Sequence, residues 1–273
     1  VTSDDLKFQV NGSAVELYER WPVRAFFRGW AQDLLDRVSV GPGDDVLDVA
    51  CGTGVVSRAA ARRVGGAGSV TGSDLNEPMI AAAAELAPTE AAITWRLADA
   101  EHLPFDDTSY DVVVCQQGLQ FVPDCERAVS EMHRVLRPSG RVAASVWRGM
   151  DENPYFVAAS IGLTEHVGPG ADAFLTAACR LADPDEVGAI FEGAGFADVS
   201  VETAELLGQM MPAAELILGN LSGTPVAEAL EEMTTVARQA MVDTIMAHLA
   251  DDIDEQGQVR VLTRTNVVTA TRV

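Results

Sequence analysis

Asp45-Val46-Leu47-Asp48-Val49-Ala50-Cys51-Gly52-Thr53-Gly54 is the stretch from which the rest of the chain is read. An apolar run ends in an acidic residue, small residues and two glycines follow, and Val55 to Val64 continues at helical spacing. The pattern predicts a strand, a tight turn and a helix. Gly52 and Gly54 lack a Cβ, so the backbone can turn sharply. A ligand could then approach the first turn of the helix, where amide N–H groups are unpaired. Asp48 at the strand end is expected to place a negative charge at the cleft, which suits an ammonium group and repels a pyrophosphate. A dinucleotide fingerprint needs a third glycine where Ser57 stands. The stretch therefore reads as a cradle for a nucleotide-type cofactor.

Working outward, Ser69 to Asp74 is a second short strand, and Asp74 follows Gly54 by 20 residues. At about that spacing an acidic side chain can accept hydrogen bonds from ribose hydroxyls. Asp99-Ala100 follows a third strand-like run, Ile93 to Ala98. Three acidic residues ending three successive strands can line one crevice.

The spacing predicts strands over 45–50, 69–74, 93–98, 110–116 and 140–147, with helices over 54–64, 77–87 and 124–136. Pro138-Ser139-Gly140 marks the break before the fifth strand. The alternation implies an α/β, Rossmann-like, doubly wound sheet, mostly parallel, with helices on both faces. Pro184 to Ala194 reads as another helix, Phe196 to Leu206 as a strand, and 257–271 as a final strand pair. Two Ala-, Leu- and Met-rich blocks leave the alternation and are expected to pack together as a helical cap. The expected organisation is thus a helical lid over 1–38, a core over 39–150 resumed at 183–208, cap insertions at 151–182 and 209–256, and a terminal strand at 257–273. Over 13–38 a helical pattern is interrupted by Pro22.

The chain has 273 residues, 19 basic and 41 acidic, for a net charge of −22. That balance opposes binding to nucleic acid and to anionic membranes. No apolar run approaches the roughly 20 residues of a membrane span, and VTSDDLKFQV does not read as a signal peptide. A cytoplasmic location is expected. Cys51, Cys115, Cys125 and Cys179 show neither CxxC spacing nor a histidine cluster, which predicts buried, reduced thiols.

Four pieces carry a family resemblance: LDVACGTG (47–54), VTGSDLNEPMI (70–80), ADAEHLPFDDTSYDVVVCQQGLQFVPD (98–124) and EMHRVLRPSGRVAASVW (131–147). In this order they resemble the class I S-adenosylmethionine-dependent methyltransferases, within them the small-molecule group typified by ubiquinone and menaquinone biosynthesis. The resemblance is close over 36–150 and looser over 183–207. It implies S-adenosyl-L-methionine as cofactor and S-adenosyl-L-homocysteine as product. It implies that Ala50, Gly52 and Gly54 contact the methionine part, with Asp48 acting through the loop and the ammonium end. Asp74 would hold the ribose hydroxyls, Leu75 and Met79 the adenine, and Asp99 with the Ala100 amide the adenine amine. Gln116 would face the methionine moiety or reaction centre, and Tyr18 of the lid would stand near the methionine moiety. Ala50 stands where the common pattern has a glycine.

For a general base, His166 in the loop-like TEHVGPG is the best placed histidine, with Tyr155 as the alternative. His102, His133 and His248 read as surface or packing residues. Gln116-Gln117-Gly118-Leu119 lacks the Asn/Asp-Pro-Pro-Tyr/Phe of enzymes that methylate nucleobases or glutamine. No acidic cluster suited to magnesium follows the fourth strand, which predicts a metal-independent enzyme. The Met- and Leu-rich cap suits a small apolar acceptor, with Met150, Leu163, Phe174, Met210, Met211, Leu216 and Met233 as lining candidates. The expected activity is transfer of a methyl group to an oxygen or carbon of a quinone-like or specialised metabolite. Two other readings share the cofactor: a non-catalytic binding partner or regulatory subunit, and altered chemistry such as decarboxylation or cyclisation.

Overall fold

In the computed structural model, which describes residues 13–88 and 92–273, strand β1 (Asp45–Val49) lies inside a seven-stranded sheet. Val46, Leu47 and Val49 are at most 1% exposed, as befits a continuous apolar strand covered on both faces. The other strands are β2 (Ser69–Asp74), β3 (Ile93–Leu97), β4 (Tyr110–Gln116), β5 (Leu136–Trp147), β6 (Ala197–Leu207) and β7 (Leu262–Thr271). Their spatial order is β3-β2-β1-β4-β5-β7-β6. The first five run parallel, and β7 pairs antiparallel with both β5 and β6.

Strand order reverses between β1 and β4, so the loops leaving these two strands diverge and open a crevice at their carboxyl ends. This single topological fact positions the site. β5 begins at Leu136, earlier than the expected 140. Its pairing with β4 slips between Tyr110 and Val112, and Ser139 adopts φ 64, so Pro138 and Ser139 are taken up in an irregularity rather than ending the strand.

Helices cover both faces. α1 (Ser13–Arg20), a π-helical turn over Val23–Phe27 and α2 (Arg28–Arg37) precede the sheet, with Pro22 at the junction. Residues 1–12 of the expected lid lie outside the described residues. α3 (Val55–Val64), α4 (Glu77–Leu86) and α5 (Cys125–Val135) are the crossovers. α5 is N-capped by Asp124, whose side chain accepts from Arg127 N, and it buries Ala128, Val129, Met132 and Val135 along one stripe.

α6 (Pro154–His166), α7 (Ala173–Ala178), α8 (Pro184–Gly193), α9 (Ala213–Ser222), α10 (Ala227–Glu232) and α11 (Thr235–His248) complete the chain. α6 packs on α11 so closely that a Cβ on Gly162 would lie 2.4 Å from Ile245 Cγ1. Met211–Pro212 and Gln258–Val259 form a separate two-stranded ribbon. All four cysteines are free, Cys51 and Cys115 being buried. Among the described residues, no helix is long and apolar enough to cross a membrane.

Candidate active site

The crevice holds a cavity of about 190 Å³. A single water needs roughly 10–15 Å³ of such space, so the cavity accommodates an organic molecule. Its floor is the turn after β1, where Ala50, Gly52 and Gly54 all take positive φ (56°, 54° and 81°). Gly52 N donates to Asp74 Oδ2 at 2.8 Å, and Asn76 N donates to Asp74 Oδ1 at 2.8 Å. Burial pushes the Asp74 carboxyl upward, opposed by the backbone N–H groups of Asn76, Gly52 and Leu75.

Beside this floor, Leu75 is 47% exposed although it lines the cavity, and Met79 is buried behind it. Asp99 and Ala100 form the rim, with Asp99 Oδ1 accepting from Glu101 N at 2.9 Å. The Tyr18 hydroxyl lies 3.8 Å from where a Cβ on Gly52 would stand. Its ring is 5.6 Å from that of Phe27, and burial raises its hydroxyl pKa. Gln116, ending β4, donates from Nε2 to Phe27 O at 3.2 Å, while its Oε1 is buried without a partner. Tyr18, Ala50, Gly52, Asp74, Leu75, Met79, Asp99, Ala100 and Gln116 thus meet around one space.

Three of the expected site residues do not line it. Asp48 is turned beneath the loop, 1% exposed, where Oδ2 accepts from Ser57 N at 2.9 Å and from Ser57 Oγ at 2.6 Å. The residue that stands in for the third glycine is therefore what holds Asp48 away from the cleft. Asp48 borders a second cavity of about 20 Å³, room for one water, and its Oδ1 has no partner. Burial raises its carboxyl to about 7, against the hydrogen bonds from Ser57.

Gly54 serves packing: a Cβ there would meet Trp95 Cη2 at 2.4 Å, and one on Gly72 would meet Cζ3 of the same ring at 2.4 Å. His166 ends α6 facing α11, its Nε2 2.8 Å from Thr244 Oγ1 and 3.8 Å from Glu165 Oε1, and it is absent from the cavity wall. The alternative base, Tyr155, is buried against Phe26 and Phe156, its hydroxyl unpaired and its pKa raised by burial, and it too is absent from the wall.

The cap contributes differently from the expected Met and Leu lining. Phe174 lines the cavity, but Leu163, Met211 and Leu216 are core residues and Met210 is 46% exposed. Met150 and Met233 pack against the core without reaching the cavity. The wall is instead aromatic: Phe26, Phe27, Phe121, Trp147, Phe156 and Phe174. Only 6% of the chain is aromatic, so this clustering is a signal that sequence reading caught before β1 and missed beyond it. Arg180 braces the wall, donating to the carbonyls of Gln120 (2.6 Å), Leu119 (3.3 Å) and Val122.

Residues 47–144 match the family described as methyltransferase domain. Over this span the chain is similar to that family. The chain is 38% identical over 117 residues to a demethylmenaquinone methyltransferase of Lactobacillus johnsonii, a match covering 42% of this chain and 48% of that protein. It is 41% identical over 119 residues to nocamycin O-methyltransferase of Saccharothrix syringae, covering 43% of this chain and 42% of that one. The matches thus span about half the length of these relatives or less. A Haemonchus contortus phosphoethanolamine N-methyltransferase 2, solved in complex with S-adenosyl-L-methionine, shares the fold. Its TM-score is 0.61 at 20% identity, over 94% of this chain and 56% of that one. The matched span carries the glycine floor, Asp74, the Leu75–Met79 slot, Asp99 and Gln116, while Tyr18 precedes it.

Proposed function

We propose that this chain transfers a methyl group from S-adenosyl-L-methionine to an oxygen or carbon of a small, flat organic molecule such as a quinone-like or specialised metabolite. The observation that carries the reading is the Gly52–Asp74 unit facing a cavity whose far wall is aromatic. The cradle fits the cofactor. Gly52 holds φ 54 with the Tyr18 hydroxyl beside it, each Asp74 oxygen accepts a backbone N–H and keeps lone pairs for hydroxyl donors, and half-exposed Leu75 offers an apolar face to a flat base.

In this reading Asp74 binds the ribose hydroxyls, Leu75 and Met79 hold the adenine, and Asp99 with the Ala100 amide recognises its amine. The Ala50–Gly52 turn and Tyr18 hold the methionine end, and Gln116 keeps the Val23–Phe27 turn against the strand tip. The cofactor, when bound, supplies an electrophilic methyl group on a sulfonium. What the protein adds is alignment, and positioning of this kind contributes about 7–11 kcal/mol. Residues 1–38 would act as lid, and 151–182 with 209–256 as cap, on the core of 39–150 resumed at 183–208 and closed by 257–273. The net charge of −22 favours a small cytoplasmic acceptor over nucleic acid or a membrane.

The test is calorimetric titration with S-adenosyl-L-homocysteine, followed by transfer of labelled methyl to a panel of hydroquinones and phenols. Micromolar binding and labelled product are expected. Failure to bind overturns the reading, and binding without labelled product from any acceptor supports a non-catalytic partner.

A further inference from the structure

One side chain of the cavity wall has its whole carboxamide unused. Asn220, on α9, lines the cavity and is 7% exposed, yet no described residue hydrogen-bonds its carboxamide. Its neighbours Gln117 and Thr224 are committed. Gln117 Nε2 donates to Thr265 Oγ1 at 2.6 Å, Gln117 Oε1 accepts from Gln120 Nε2 at 3.1 Å, and Thr224 Oγ1 donates to Leu221 O at 2.6 Å. Gln116 donates through Nε2 to Phe27 O, and its Oε1 has no partner.

The side chain is buried as a whole but its carboxamide opens onto the cavity, so its hydrogen-bonding capacity among apolar walls is available to whatever occupies that space. The helix carrying it is clamped. A Cβ on Gly219 would stand 2.3 Å from Trp21 Cδ1, and one on Gly223, just past α9, 2.8 Å from Tyr18 N, so the chain on either side of Asn220 meets Tyr18 and Trp21 with no spare room. A hydrogen-bonding group on so rigid a mount can set the orientation of what it binds.

We infer that Asn220 positions the methyl acceptor, and that the acceptor is a flat conjugated molecule bearing a carbonyl or hydroxyl oxygen that pairs with this carboxamide. The inference rests on the methyl-transfer reading of the cavity. The flatness follows from the walls, since Phe27, Trp147, Phe156 and Phe174 offer ring faces and edges, which favour offset or edge-on contact with another π-system. The oxygen follows from the amide, which donates through Nδ2 and accepts through Oδ1. A site built to bond such an oxygen discriminates strongly against the analogue lacking it, because the amide is then left buried and unpaired.

The test uses three probes in the absence of cofactor: 2-hydroxy-1,4-naphthoquinone, 1-naphthol and naphthalene. Their affinities are compared in the wild type, Asn220→Leu and Asn220→Ser. The wild type should bind the two oxygenated probes at least tenfold more tightly than naphthalene. Asn220→Leu, close in volume and without hydrogen bonds, should abolish that preference while leaving S-adenosyl-L-homocysteine affinity unchanged. Asn220→Ser should restore part of the preference. The melting temperature of the unliganded Asn220→Leu protein should be unchanged or higher, since no protein partner is lost.

A lower melting temperature with equal loss for all three probes would mean the residue is structural, and weaker S-adenosyl-L-homocysteine binding would assign it to the cofactor. Equal wild-type affinity for naphthalene and its oxygenated relatives overturns the inference outright. A wild type that discriminates among the probes but fails to bind S-adenosyl-L-homocysteine would remove the methyl-transfer reading instead, so the two failures are distinct.

Discussion

Gly52 N and Asp74 Oδ2 lie 2.8 Å apart, which makes the turn after β1 and the end of β2 one hydrogen-bonded unit. Asp74 takes a second backbone N–H, from Asn76, on its other oxygen. Because both oxygens accept, an amide cannot replace the carboxylate: one position would face an N–H with an NH2. Asp74→Asn is expected to weaken S-adenosyl-L-homocysteine binding at least tenfold and to cost about 1–3 kcal/mol of stability. Calorimetry and urea melts on the same sample check both, and undiminished affinity would remove Asp74 from the site.

Ala50 and Gly118 compete for the same space. Ala50 holds φ 56, and a Cβ on Gly118 would stand 2.5 Å from Ala50 Cβ and 2.9 Å from Cys115 Sγ. Gly118→Ala should therefore destabilise the fold by about 1–3 kcal/mol through overpacking. In an Ala50→Gly background the same change should cost measurably less, because one of the two clashes is gone. A double-mutant cycle reads the coupling, and strictly additive effects would contradict the geometry.

Asp48 gives stability a pH dependence of opposite sign to that of a salt-bridged carboxylate. Its folded pKa, raised to about 7 by burial, exceeds the unfolded value of 3.8, so the folded state binds the extra proton between these limits. The stabilisation is fully present below about pH 4 and is lost as pH rises through 7. Asp48→Asn keeps an acceptor for Ser57 and removes the titration. The difference in unfolding free energy, variant minus wild type, should grow from pH 4 to 7 and then level off. A flat difference across that range in paired denaturant melts would refute the assignment.

Arg180 spans three carbonyls of the wall segment, those of Leu119, Gln120 and Val122. A lysine ammonium cannot match that planar, forked contact. Arg180→Lys is expected to raise KM for the acceptor several-fold and to lower stability by about 1–2 kcal/mol, with cofactor affinity unchanged. Steady-state kinetics with each substrate varied in turn separates these effects.

His166→Ala should leave the rate of methyl transfer and its pH profile within twofold of the wild type. The side chain pairs with Thr244 on α11 rather than with anything in the cavity. An acid limb that disappears in this variant would reinstate His166 as a base.

What could be read beforehand was local. β1, β2 and β4 are apolar runs punctuated by turn residues, and the observed strands fall within one residue of the expected spans, because burial on both faces leaves a contiguous signature. The spacing of Asp74 from Gly54 was legible for the same reason. The direction of Asp48 was not, since it depends on Ser57, nine residues away and across a turn. Nor was the cavity wall, because α6 buries Tyr155, Phe156, Ala158, Ala159, Gly162 and Leu163 around much of its circumference. Which of its faces meets the cavity is decided by α11 and by the sheet, not by periodicity. Asn220 carried no signal at all: one asparagine in an apolar helix acquires meaning only when its surroundings are known.

The two halves of the cavity are drawn from different stretches of chain. The groups read as gripping the cofactor fall mostly between 47 and 144, the span common to methyltransferase domains, whereas Phe26, Phe27, Phe156, Phe174 and Asn220 fall outside it. Inheritance and individuality are thus written in separate segments. A lineage could exchange the outer segments and acquire a new acceptor while its donor chemistry stayed fixed, so a relative's name vouches for the donor far better than for the molecule that receives the methyl group.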